Sequence, residues 1–113
     1  MKKTKKMGDV YQRLYDVIIS RKDSNSADSY TASLFKKGRG KICNKLGEEA
    51  IETVVAALAE KQENVVHESA DMLFHLFVLW AEMGIEPQEV SNKLEDRFGV
   101  SGMKEKKARS NSC

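Results

Sequence analysis

Residues 45–52 read KLGEEAIE, with glutamates at 48, 49 and 52. On a helix, Glu48 and Glu52 stand four apart and Glu49 and Glu52 three apart. Like charges at those spacings repel by about 0.2–0.5 kcal/mol per pair. A crowded set of them asks for something positive among them. A second acidic pair, Glu68 and Asp71, lies in ESADMLFH at the head of an almost wholly apolar stretch. An unpaired carboxylate in such a setting is costly, and a metal ion or a close cation offsets the cost. The two pairs, Glu49 with Glu52 and Glu68 with Asp71, are centred symmetrically about residue 60. In an antiparallel helical hairpin turning there they stand level, roughly nine residues or 14 Å from the bend. ExxE facing ExxD makes a four-carboxylate cup. Hard oxygen ligands of this kind suit Mg²⁺, with Mn²⁺ as the alternative. Zinc is disfavoured because the cup holds no Cys or His. Any one of these glutamates alone is most simply a solvated helix residue; the facing pairs are what point to a metal.

Other side chains surround the cup. Glu48 is a further ligand, a base for water or a bystander, and the residues leave all three open. His75, four after Asp71, reads first as a core-edge histidine bonded to Asp71, and second as a group orienting the Asp71 carboxylate. His67 reads as surface, Cys43 as structural, and Phe74, Phe77 and Trp80 as core aromatics. Lys36, Lys37, Arg39, Lys41 and Lys45 precede the glutamates. A cationic rim beside a cup for a divalent cation suits a polyphosphate. The plain alternative for these lysines is a solvated basic surface.

These residues need helices to hold them. One proline and seven glycines in 113 residues leave little turn chemistry for an all-β protein. The charged, Ala- and Leu-containing runs favour helices. Helical spacing predicts a helix over 9–21, a turn cluster at 22–28 (KDSNSAD), and a short helix over 29–37. Gly38-Arg39-Gly40 reads as a flexible joint. Two long helices follow, from Lys41 to about Glu60 and from Gln62 to Met83, with a polar turn between them and Gly84 as a C-cap. Pro87 opens a last helix whose buried stripe is Val90, Leu94 and Phe98. On the first long helix, Glu48, Glu49 and Glu52 share an arc with Lys41 and Lys45, while Leu46, Ala50, Ile51, Val54, Ala57 and Leu58 fill the opposite, very broad arc. The expected architecture is all-α, a helical bundle built on a long antiparallel hairpin. Residues 1–8 form a basic arm, 9–103 a single domain and 104–113 a polar basic tail.

The net charge of +2 gives no bulk argument for nucleic acid. Two scattered cysteines make no disulfide framework, which fits a reduced compartment. The basic start MKKTKK is followed by no apolar run, and Met72 to Ala81 is too short to span a bilayer. A cytoplasmic protein, without membrane or nucleic-acid partners, is expected.

KLGEEAIE followed by ESADMLFH resembles the paired helices of the all-α, MazG-like nucleotide pyrophosphohydrolases. More narrowly, the chain resembles the phosphoribosyl-ATP pyrophosphatase family of histidine biosynthesis. Ser29-Tyr30-Thr31 with Leu34-Phe35-x-Lys37-Gly38 carries that match, as do Lys41-Ile42, Glu68-x-x-Asp71-x-x-Phe74-His75, and Ser101-Gly102-Met103 with Glu105, Lys106 and Arg109. The likeness covers residues 9–109; Asn44 stands where the family often has lysine. The resemblance implies hydrolysis of phosphoribosyl-ATP to phosphoribosyl-AMP and pyrophosphate by a homodimer. Glu49, Glu52, Glu68 and Asp71 would hold Mg²⁺. Lys41 and Lys45 would stabilise phosphate charge, with Lys37, Arg39, Lys106 and Arg109 as further substrate contacts and Glu48 in a catalytic role. Three rivals share some of these features. A house-cleaning pyrophosphatase for (deoxy)nucleoside triphosphates would use the same cup. A ferritin-like bundle wants Glu-x-x-His, but Asn64 and Met72 stand three before His67 and His75. A purely structural dimerisation module would need no metal.

Overall fold

The computed structural model of the chain describes residues 6–24 and 29–98. Five helices follow in order: α1 (Met7–Lys22), α2 (Tyr30–Lys37), α3 (Arg39–Ala59), α4 (Gln62–Met83) and α5 (Pro87–Glu95). There is no strand among the described residues, in keeping with the all-α expectation. Residues 1–5, 25–28 and 99–113, the last including the Ser101-Gly102-Met103 motif and the expected basic tail, lie outside the described part.

Local chemistry sets the helix ends. Ser29 caps α2 by accepting a hydrogen bond from the Ala32 amide at 3.0 Å. Gly38, at φ 95°, ends α2 and begins α3 in one step. The expected Gly-Arg-Gly joint is therefore a single residue; Arg39 and Gly40 already belong to α3, because the backbone reversal needs only one positive φ. α1 likewise starts two residues before the expected boundary, at Met7. Between α3 and α4, Glu60 and Lys61 are both extended. Neither conformation requires glycine, which is why the turn carries no glycine or proline. Gly84 caps α4 in the left-handed region at φ 73°, with the Ile85 amide reaching back to the Trp80 carbonyl at 2.9 Å.

The core gathers Tyr15 and Ile18 from α1, Leu34 from α2, Ile42 from α3, and Phe77, Val78 and Ala81 from α4. Tyr11 meets Phe77 edge-on at 5.4 Å, and Phe77 stacks on Trp80 at 4.6 Å. Two polar ties lock α1 to the end of α4. The Tyr15 hydroxyl donates to the Ile85 carbonyl at 2.7 Å, and the Lys22 ammonium donates to the Ala81 carbonyl at 2.9 Å. The latter satisfies a carbonyl at the negative end of the α4 dipole.

Two expectations change. α5 buries no residue completely; Leu94 is 52% and Phe98 74% exposed. A stripe at 90, 94 and 98 needs continuous helix, and α5 stops at Glu95, so the turn that follows takes Phe98 out of register. α3 is also rotated from the simplest amphipathic reading. Its inward side carries Ile42, Glu49 and Ala56, while Ile51, Val54 and Leu58 face outward.

Candidate metal centre

α3 and α4 run antiparallel about residues 60 and 61, so residues equidistant from that turn face each other. Glu49 lies on the buried side of α3 and is only 9% exposed. From α4, Glu68 and Asp71 project toward it, both half-buried. One carboxylate oxygen from each of Glu49, Glu68 and Asp71 lies within 4.8 Å of the others. Glu52 is exposed and stands outside this trio, beside Glu49.

Glu49 is the anomaly. Its Oε2 is shielded from solvent and has no hydrogen-bond partner among the described residues. Burial, then contact with Glu52, the negative charges of Glu52 and Asp71, and contact with Glu68 push its carboxyl up to about 7. Buried polar atoms are nearly always satisfied, so an orphan of this kind calls for an absent partner. Either a proton or a cation can fill that role. Three converging carboxylates form the oxygen donor set of a hard divalent ion, so the residues fit Mg²⁺ or Mn²⁺.

The remaining candidates fall at increasing distance from the trio. The Lys45 ammonium is 3.5 Å from Glu48 Oε1. Tyr30 first, and Glu48 second, hold it above the ordinary lysine range. Glu48 itself is exposed on the α3 surface. Lys37 and Lys41 are exposed, and Lys41 begins about 12 Å before Glu49 along the helix axis. Arg39 Nε lies 3.7 Å from Glu82, near the far end of α4 from the trio. Lys106 and Arg109 lie outside the described residues.

Both histidines differ in detail from the sequence expectation. His67 is exposed as expected, yet its Nε2 is 3.4 Å from Asp71 Oδ2. The i,i+4 spacing was the available signal. His75 is buried at 5% exposure and does bond Asp71, but through the backbone carbonyl, at 2.7 Å from Nδ1. The Asp71 carboxylate is not its partner there. Its Nε2 instead lies 3.0 Å from the Tyr30 hydroxyl. Nothing local to Tyr30 foretells this partner 45 residues away.

An apolar groove of about 510 Å³ also opens between α1, α4 and α5, lined by Tyr11, Leu73, Leu76, Trp80, Val90 and Leu94 among others. By helical period, its α4 residues face away from Glu68 and Asp71, so the groove is separate from the carboxylate site. Among the described residues, no helix is long and apolar enough to cross a membrane.

A family model described as Phosphoribosyl-ATP pyrophosphohydrolase matches residues 11–98. Among curated proteins, a phosphoribosyl-ATP pyrophosphatase from Paramagnetospirillum magneticum is 56% identical over 100 residues, spanning 88% of this chain and 92% of its own. A protein of the same name from Rhodospirillum rubrum is 54% identical over 101 residues, covering 89% and 86% of the two chains. Another from Geobacter sulfurreducens is 48% identical over 101 residues, covering 89% and 94%. With a helical hairpin that brings its acidic residues to one point, and with likeness over nearly the whole of both chains, this chain belongs to the phosphoribosyl-ATP pyrophosphohydrolase family.

Proposed function

We propose that the protein hydrolyses phosphoribosyl-ATP to phosphoribosyl-AMP and pyrophosphate, the histidine-biosynthetic step that its sequence resemblance implies, in the cytoplasm. The observation that carries this reading is the convergence of Glu49, Glu68 and Asp71 within 4.8 Å around an unpartnered buried oxygen, in a chain of this family. Water adds across the anhydride between the α- and β-phosphates; one P–O bond forms and one breaks.

Glu49, Glu68 and Asp71 would hold Mg²⁺, with Mn²⁺ as the alternative, and Glu52, beside Glu49, would be the fourth carboxylate of the set. The bound ion supplies charge neutralisation at the phosphates and a more acidic water. His67 and His75 fix the outer oxygen and the backbone of Asp71 respectively. Lys45 offsets the charge that develops on the phosphates. Glu48, paired with Lys45 at 3.5 Å, keeps that ammonium on the rim of the site and is the candidate base for water. Lys37, Arg39 and Lys41 supply a longer-range positive field for a polyanion.

The working form is a homodimer. Ile51, Val54, Val55 and Leu58 on α3 and Val66 on α4 are all large, apolar and exposed in the single chain. Contiguous apolar surface of this kind marks an association face.

Pyrophosphate release from phosphoribosyl-ATP, against a panel of canonical and deoxy nucleoside triphosphates, with and without Mg²⁺, tests the reading. Metal-dependent release from phosphoribosyl-ATP is expected. Turnover of the triphosphates with none of phosphoribosyl-ATP would establish the house-cleaning activity instead.

A further inference from the structure

Tyr30 occupies the first position of α2, half-exposed, with its hydroxyl 3.0 Å from His75 Nε2. The other ring nitrogen of His75, Nδ1, is 2.7 Å from the Asp71 carbonyl oxygen. A carbonyl can only accept, so Nδ1 carries the hydrogen, and in the neutral ring Nε2 is the acceptor. The Tyr30 hydroxyl therefore donates to His75. A phenol has one hydrogen, and this one is committed inward. Tyr30 Oη thus offers only lone pairs to its open side.

The phenol is held in place as well as in polarity. Its ring stacks on Phe74 at 6.3 Å with 26° between planes and meets the His75 ring edge-on at 6.0 Å. Ser29 fixes the start of the helix that carries it. An oxygen so fixed welcomes a hydrogen-bond donor and repels a phosphate oxygen. Tyr30 is the strongest influence on the Lys45 ammonium, and two lone pairs leave room for a second donor.

The place of the Tyr30–His75 pair along α4 narrows the choice of donor. His75 is one helical turn, about 6 Å, beyond Asp71 along α4. A nucleotide whose phosphates rest on the carboxylate trio places its sugar about that far from them. The first hydrogen-bond donors met after the phosphates are the sugar hydroxyls.

We propose that Tyr30 Oη accepts a hydrogen bond from a hydroxyl of the ribose joined to the α-phosphate, which makes Tyr30 a specificity-determining residue for ribonucleotide over deoxyribonucleotide substrates. The assignment rests on reading the trio as the phosphate-side metal site.

The test is a cycle of kcat/KM values. Wild type and Tyr30→Phe are each assayed with phosphoribosyl-ATP and with its 2′-deoxy and 3′-deoxy counterparts in the ATP ribose. Loss of one neutral hydrogen bond corresponds to roughly 3- to 10-fold. Wild type is expected to lose that much on one of the deoxy substrates. Tyr30→Phe is expected to lose it on the ribose substrate and then to ignore removal of that same hydroxyl. A merely structural role for Tyr30 would lower all three substrates alike, with additive losses, and would overturn the assignment. If Tyr30→Phe does not fold, wild type still decides: no discrimination against either deoxy substrate overturns it. If wild type fails to turn over phosphoribosyl-ATP at all, the functional reading falls by itself. The same cycle, run as Mg²⁺-dependent binding of ATP, 2′-deoxy-ATP and 3′-deoxy-ATP, then decides Tyr30.

Discussion

The two sides of α3 invert the usual relation between polarity and burial. Toward α4 the helix buries Glu49, at 9% exposure; away from it, Leu58 is 83% exposed and Ile51 66%. Each side is costly in an isolated chain. The buried Glu49 Oε2 loses solvation that no hydrogen bond among the described residues restores. A large apolar side chain left in water forgoes about 1.5–3 kcal/mol of burial. A helix carrying both departures on opposite sides has two unmet demands, a partner for a buried oxygen within and cover for large apolar side chains without. On the function proposed above, the inner side would take the metal ion and the outer side the second subunit. The difference teaches that stability in this chain is not maximised within one copy.

Breaking the inner side has the largest expected effect. Glu49→Gln or Asp71→Asn should lower Mg²⁺-dependent pyrophosphate release roughly 100- to 1000-fold, measured on protein whose circular dichroism is unchanged. Stability should move the opposite way. In metal-free protein the Glu49 carboxyl is raised from 4.5 to about 7, so between those values the folded chain holds a proton that the unfolded chain has lost. Stability therefore falls as pH rises through that window and stays low above it. Glu49→Gln removes the fall, a gain on the order of 3 kcal/mol at pH 8 by denaturant titration in EDTA. Equal stability of the two proteins there would mean that Glu49 is not strained.

The outer side should respond to charge in a different measurement. Leu58→Glu is expected to weaken self-association roughly 100-fold, since both copies lose an apolar contact. Light scattering should then shift toward the mass of the 12.7 kDa chain. Glu49→Gln should leave that mass unchanged. Proton and metal also compete at the inner side: Mg²⁺ affinity by calorimetry should fall roughly tenfold from pH 8 to pH 6. The smallest effect belongs to the scaffold. Gly84→Ala, at a left-handed cap that lies apart from both sides, should cost about 1 kcal/mol without altering metal response or mass.

Much of this was legible in the chain itself. α4 spans the very residues that its periodicity marks, and the Gly84 cap and Pro87 start are local chemistry. The facing of Glu49 with Glu68 and Asp71 follows from arithmetic about residue 60, because helical rise is uniform and the hairpin is antiparallel. The site was less legible in three particulars. His67 reaches Asp71, His75 bonds a carbonyl instead of a carboxylate, and Tyr30 closes the chain of hydrogen bonds from α2. Each depends on side-chain rotamers or on a helix packed from elsewhere in the sequence. The Phe98 expectation failed for a related reason: periodicity continues past a helix end that only the backbone hydrogen bonds reveal.

The sequence by itself determined the helical class, the hairpin and the level at which Glu49 faces Glu68 and Asp71, since all three follow from spacing and from a period common to every α-helix. Only the tertiary structure decided which side of α3 turns inward. Both arcs of that helix hold apolar residues, so local amphipathicity is ambiguous, and the choice falls to packing against α4 and the core residues Ile42 and Phe77. That single rotation buries Glu49 with its Oε2 unpartnered, exposes Leu58, and so creates both unmet demands from one helix.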